Sequence, residues 1–192
     1  MTVKIGVLAL QGAVSEHVKA LEKSGAQAVT VKHPEELSDL DGLVLPGGES
    51  TTMRRLMDRS GLFKAVKHFA KSKPVFGTCA GLILMAKQIE GRKGPHLALL
   101  DIDVKRNAFG SQVDSFQTTL QIKDVAENFD GIFIRAPYIK SVEDNVQVLS
   151  TYEEHIVACR QGRFLACAFH PELAGDSRFH DYFVKMVENE KQ

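Results

Sequence analysis

Residues 75–86 read VFGTCAGLILMA: an apolar pair, a glycine, a lone cysteine, a second glycine and an apolar run. A strand that stops and a helix that starts within three or four residues is the join expected of an α/β sheet. GTCAG (77–81) also fits the nucleophile-elbow pattern G-x-Nuc-x-G, with Cys79 in the nucleophile position. A turn this sharp strains its central residue and crowds its flanks, so the flanking positions call for residues without a Cβ. A free cysteine taken alone is a small, commonly buried hydrophobe. The meaning of Cys79 therefore rests on what the rest of the chain brings to it.

Outward from this join, the same alternation repeats. VKIGVLAL (3–10) is a nearly continuous apolar run, the signature of a strand covered on both faces. AVTVK (28–32), DGLVLPGG (41–48) and KPVFG (73–77) are further short strands. Between them, residues 13–24 carry Val14, Val18 and Leu21 at helical spacing, with Gly25 placed to end the helix. Met53, Leu56 and Met57 share a second helical face, Ser60-Gly61 breaks it, and Leu62, Ala65, Val66 and Phe69 resume it. Leu82, Ile83, Met85 and Ala86 are expected in the helix behind the cysteine. This pattern predicts a three-layer, open, mainly parallel sheet with helices on both faces, of flavodoxin-like type. The second half differs: SFQTTLQI, GIFIRAP, NVQVLSTY, EHIVACRQG and RFLACAFHP follow one another as antiparallel additions, before a last helix over 175–190.

The chain has 192 residues, 44% of them hydrophobic and 25% charged, which suits a single domain over 1–192. Lys plus Arg number 24 and Asp plus Glu number 24, so no net field favours nucleic acid or a membrane surface. No segment resembles a signal peptide or a membrane span, and a cytoplasmic location is expected. Three cysteines without a C-x-x-C pair suit neither a disulfide framework nor a zinc cluster, and no metal or cofactor is expected.

In open α/β sheets ligands bind beyond the carboxyl ends of the strands. The loops there are QG (11–12), PGGEST (46–51), GTCAG (77–81) and HPEL (170–173). A thiol at the start of a helix gains from the positive end of the helix dipole, which favours the thiolate. The Ala80 N–H is then an oxyanion donor, and the Gly47-Gly48 loop can supply a second. Ser50 or Thr51 is the expected cap of the following helix. His170 and Glu172 offer a base and its orienting group: in extended chain, residues i and i+2 project to one side, and Pro171 stiffens the backbone between them. Cys159 and Cys167, in apolar strand-like surroundings, are assigned to packing.

Together these residues resemble the class I (triad) glutamine amidotransferases, whose glutaminase domains carry a G-x-C-x-G elbow and a downstream H-P-E. ALQGAVSEH (9–17), PGGESTTM (46–53), GTCAGLILMA (77–86), RNAFGSQ (106–112), FIRAPYI (133–139) and FHPEL (169–173) narrow the resemblance to the glutaminase subunits of pyridoxal 5′-phosphate synthases, the PdxT family. The resemblance implies hydrolysis of L-glutamine to L-glutamate and ammonia. It implies Cys79 as nucleophile through a γ-glutamyl thioester, with His170 and Glu172 completing the triad. It also places Gly47, Gly48, Glu49, Arg106, Ile134 and Arg135 around glutamine and puts Gln11 at an activating interface. The implied partner is a PdxS-type synthase subunit in a large heteromeric complex that consumes the ammonia for vitamin B6 synthesis. Two other readings stay open: the glutaminase subunit of another amidotransferase such as imidazole glycerol phosphate synthase, and a DJ-1-like α/β protein using an elbow cysteine for redox sensing or binding.

Overall fold

A computed structural model describes residues 1–109 and 114–192; Gly110 to Gln112 of the RNAFGSQ stretch lie outside the described residues. The first half supplies β1 (Lys4–Leu8), β2 (Gln27–Val31), β3 (Gly42–Leu45) and β4 (Val75–Thr78), and the second returns with β12 (Phe164–Cys167). These five strands are parallel and lie in the order β2-β1-β3-β4-β12. This is the doubly wound arrangement, whose ligand crevice lies where the winding direction reverses.

Beyond β12 the sheet turns antiparallel. β11 (His155–Gln161), β9 (Tyr138–Val142) and β6 (Leu100–Lys105) follow in turn, and β5 (Ala86–Ile89) closes that edge parallel to β6. β10 (Gln147–Tyr152) pairs with β11 off the main path. β7 (Ser115–Ile122) and β8 (Ala126–Ile134) form a separate hairpin. The antiparallel second half expected from its closely spaced strand patterns is therefore present, and the sheet as a whole is mixed.

The helices are α1 (Val14–Lys23), α2 (Ser50–Ser60), α3 (Leu62–Phe69), α4 (Ala80–Met85) and α5 (Arg178–Lys191). Alternation along β4 shows how they divide. Phe76 faces α5, with its ring 5.3 Å from both Phe179 and Phe183. Thr78, two residues on and so on the same face, reaches His17 of α1. Gly77 points the other way, and a Cβ there would lie 2.5 Å from Met85 Sδ of α4. One face of the sheet thus carries α1 and α5, the other α4 with α2 packed beside it. Among the described residues no helix is long and apolar enough to cross a membrane.

Two expectations need correcting. The helix behind Cys79 ends at Met85, and Ala86 takes an extended conformation (φ −68°, ψ 147°) to begin β5. The apolar run LILMA reads as one element in the sequence because burial, which it has throughout, does not separate helix from strand. The cap of α2 is neither Ser50 nor Thr51 but Glu49, whose carboxylate accepts the Thr52 N–H at 2.5 Å. An acidic side chain at that position satisfies an orphan amide and complements the helix dipole as well.

Phe76 has no exposed surface and joins the central strand to α5. Phe76→Ala should lower stability by about 3–5 kcal/mol, read as a fall in the urea midpoint at unchanged m-value.

Candidate active site

The elbow forms as its sequence demands. Cys79 sits at φ 52°, ψ −106°, a conformation that strains any residue with a Cβ. It is held by its own N–H, which donates to the Cys167 carbonyl of β12 at 2.9 Å, and by its carbonyl, which accepts from Ile83 N–H at 3.3 Å. The flanking glycines have steric tasks: a Cβ on Gly77 would lie 2.6 Å from the Gly81 backbone, and one on Gly81 would overlap the Leu45 carbonyl of β3. The crossing of strand and helix is too close for any side chain. Ala80 N–H is the first of α4, where backbone donors lack intrahelical acceptors. Because α4 is only six residues long, its dipole is smaller than a full-length helix would supply.

β12 carries the chain to His170 on the same edge. Phe169 is fully buried against Phe129, Phe133 and Phe179, which fixes the approach, and His170 N–H donates to the Ile132 carbonyl of β8 at 2.8 Å. The chain then enters a 3-10 turn at Pro171–Leu173 instead of running on extended. The pairing expected from extended geometry is reached by this different backbone, since proline favours the first position of a helical turn. His170 Nδ1 lies 2.6 Å from Glu172 Oε1, and both residues are more than 90% buried. Burial pushes the imidazole toward its neutral form, but its interactions with Cys79 and Glu172 raise its pKa to about 10. The cation is thus the favoured form of His170 at neutral pH.

The glycine loop touches both partners. A Cβ on Gly47 would fall 2.6 Å from His170 Cε1 and 3.5 Å from Cys79 Cβ, so only glycine fits between the loop and His170. Gln11 Oε1 accepts the Glu49 N–H at 2.6 Å and braces the loop from the end of β1. Hydrogen bonding to Thr52 N–H holds the Glu49 carboxyl below its usual range. From β8, the Ile134 carbonyl accepts from Cys79 Sγ at 3.8 Å, and Ile134 is 39% exposed. Arg135 follows at φ 45°, with its guanidinium in solvent beside Asp114. Arg106 stands at one side, in a cavity of about 250 Å³ with Ser50, Thr51, Ile83 and Arg92. Its Nη1 and Arg92 Nη2 both donate to Thr51 Oγ1, at 3.1 and 2.9 Å. Arg92 was not singled out from sequence, where it reads as one more charge in a polar turn.

Cys159 and Cys167 have no exposed surface, and burial pushes the Cys159 thiol up to about 12. They pack, as expected. Among the described residues, no group of three or more His, Cys, Asp or Glu side chains could hold a metal ion.

A strained elbow thiol backed by a buried imidazole and carboxylate, at the carboxyl edge of a doubly wound sheet, is the constellation of a thiol-dependent acyl-transfer enzyme. A model of the SNO glutamine amidotransferase family matches residues 7–189. The chain belongs to that family. It is 75% identical over 191 residues to the pyridoxal 5′-phosphate synthase subunit PdxT of Oenococcus oeni, covering 100% of both chains. It is 59% identical over 191 residues to the PdxT of Anoxybacillus flavithermus, covering 99% of this chain and 100% of that one. A crystal structure of a glutamine amidotransferase superposes with a TM-score of 0.91 at 43% identity, over 96% of this chain and 98% of the other.

The raised pKa of His170 has a consequence for stability. Between the ordinary value of 6.5 and about 10 the folded chain holds this proton more tightly than the unfolded chain does. The resulting stabilisation is complete below about pH 6.5 and is lost as pH rises through about 10. Urea midpoints measured from pH 6 to 10 should fall more steeply for the wild type than for His170→Asn.

Proposed function

We propose that this chain is the glutaminase subunit of a pyridoxal 5′-phosphate synthase, releasing ammonia from L-glutamine for a PdxS-type partner in a heteromeric complex. The observation that carries the chemistry is the buried pairing of His170 with Glu172 beside Cys79, with the imidazole favoured as a cation. The relatives named as synthase subunits support the choice of partner.

In this mechanism Cys79 Sγ, its proton held by His170, attacks the carboxamide carbon of glutamine. A C–S bond forms, and the carbonyl π electrons move to oxygen. The Ala80 N–H meets the oxyanion, with the Gly47-Gly48 loop as the source of a second donor. Collapse breaks the C–N bond, His170 gives its proton to the leaving nitrogen, and ammonia departs from a γ-glutamyl thioester. His170, now neutral, takes a proton from water as that water attacks the thioester. The C–S bond breaks, and glutamate leaves. Glu172 keeps Nδ1 of His170 protonated and the ring aimed at Cys79 throughout.

Recognition of the amino acid falls to the rim. Glu49 offers a carboxylate for the α-ammonium group, and the solvent-facing guanidinium of Arg135 can exchange its exposed contact with Asp114 for the α-carboxylate. The backbone at Ile134 borders the thiol, and Arg106 braces the first turn of α2 through Thr51. Gln11 bridges from a surface position to the glycine loop, and on this reading docking of the synthase subunit acts through it.

Ammonia release from glutamine, measured with and without a PdxS-type subunit, tests the assignment. Activity should rise with that subunit and not with an imidazole-pathway cyclase, and the reverse response would overturn the choice of partner. Cys79→Ala and His170→Asn should abolish turnover with docking retained, and Glu172→Ala should be milder because an orienting group is partly dispensable.

A further inference from the structure

The sequence pattern ends the triad at Glu172, but the structure continues behind it. Oε1 of Glu172 is taken by His170. Oε2 is sealed from solvent and, among the described residues, has no partner of full hydrogen-bond geometry. It lies 3.4 Å from His17 Nε2, which also stands 3.2 Å from Thr78 Oγ1. On the far side of the His17 ring, Nδ1 is 2.9 Å from His180 Nε2. Both histidines have no exposed surface, and Phe76 sets its ring edge-on to His180 at 5.8 Å. The order through the core is Cys79, His170, Glu172, His17, His180, with the last two contributed by α1 and α5.

Protons can be placed on the two neutral rings in two ways. If His17 carries its proton on Nδ1 and donates to His180, the lone pair of its Nε2 faces the Glu172 carboxylate. His180 then buries an Nδ1–H that has no acceptor among the described residues. If His17 carries its proton on Nε2, that N–H donates to the Thr78 hydroxyl with the Glu172 carboxylate 3.4 Å from the same nitrogen, and His180 donates Nε2–H to His17 Nδ1. Only the second arrangement sets a proton and not a lone pair beside the buried anionic oxygen, and it strands no buried N–H on His180, a group that is costly to leave without an acceptor.

We infer that His17, as the neutral Nε2–H tautomer, is a positioning residue of the glutaminase site that anchors the outer oxygen of Glu172, and that His180 sets this tautomer. The inference rests on the glutaminase reading of Cys79, His170 and Glu172. Burial and the neighbouring His180 and His170 hold His17 well below 6.5, and burial brings His180 down to about 4. Both rings are thus uncharged at neutral pH. A neutral donor fixes the carboxylate without competing for its charge, which stays directed at the His170 cation.

The tautomers can be read directly in the wild-type full chain labelled with 15N-histidine, which needs no variant to fold. His17 and His180 should each be protonated on Nε2 alone at pH 7, and a His17 protonated on Nδ1 overturns the inference. With a PdxS-type subunit present, His17→Phe keeps the ring volume and deletes the donor. It should lower kcat about tenfold, the scale of loss when a group orienting a functional side chain is removed. KM for glutamine should stay within about twofold, because the lost interaction serves the reaction and not binding. His17→Gln, whose amide N–H can occupy the same place, should restore most of that loss. An unchanged kcat in His17→Phe, or equal losses in both variants at wild-type melting temperature, overturns the positioning role. A wild type that releases no ammonia strikes the glutaminase reading itself, an outcome distinct from impaired variants beside an active parent.

Discussion

The turn at Cys79 forces a residue with a Cβ into a left-handed conformation, at a cost of about 1–3 kcal/mol that the surrounding contacts must offset. Those contacts are the parallel pairing of β4 with β12, through which the Cys79 N–H meets the Cys167 carbonyl, and the close crossing of α4 over β3 and β4. The same pairing brings His170 to the thiol, because β12 ends level with β4 and its next residues emerge on the same edge. Strain at Cys79 and placement of His170 are thus two results of one strand pair.

Electrostatics across the site divide by depth. Near the surface, Glu49, Arg106 and Arg135 keep charges within reach of water, where screening makes them cheap to hold. In the interior, the Glu172 carboxylate and the His170 imidazolium face each other, and the next two ionisable rings inward are neutral. Burying one matched pair and extending it with uncharged donors avoids the desolvation cost of further buried ions. The aromatic cluster around Phe169 completes this arrangement by fixing the backbone immediately before His170.

Much of this was legible in the residues themselves. The strand-helix alternation of the first half, the glycines around Cys79 and the H-P-E after an apolar strand each carry a local steric or chemical demand that a sequence displays. The helix end at Met85 was not legible, because an unbroken buried run satisfies helix and strand alike. Nor was the cap at Glu49, since Ser50 and Thr51 compete for the role by composition and only the backbone angles decide. His17 had a visible sign: it shares the helical face of Val14, Val18 and Leu21, an odd place for an unpaired imidazole. His180 sits in the same way on the inner face of the last helix. What no local pattern shows is that two such faces, far apart in sequence, meet behind Glu172.

The pairing of β4 with β12 also has a temporal side. Cys79 is synthesised with the first half of the chain, whereas His170, Glu172 and His180 arrive near its end. Until β12 docks beside β4, the elbow lacks both the carbonyl that accepts its N–H and the neighbouring imidazole of His170. On the proposed mechanism, a nascent or truncated chain therefore carries the elbow cysteine without its base and orienting group. Glutamine hydrolysis would then itself report that the last strand has found its place.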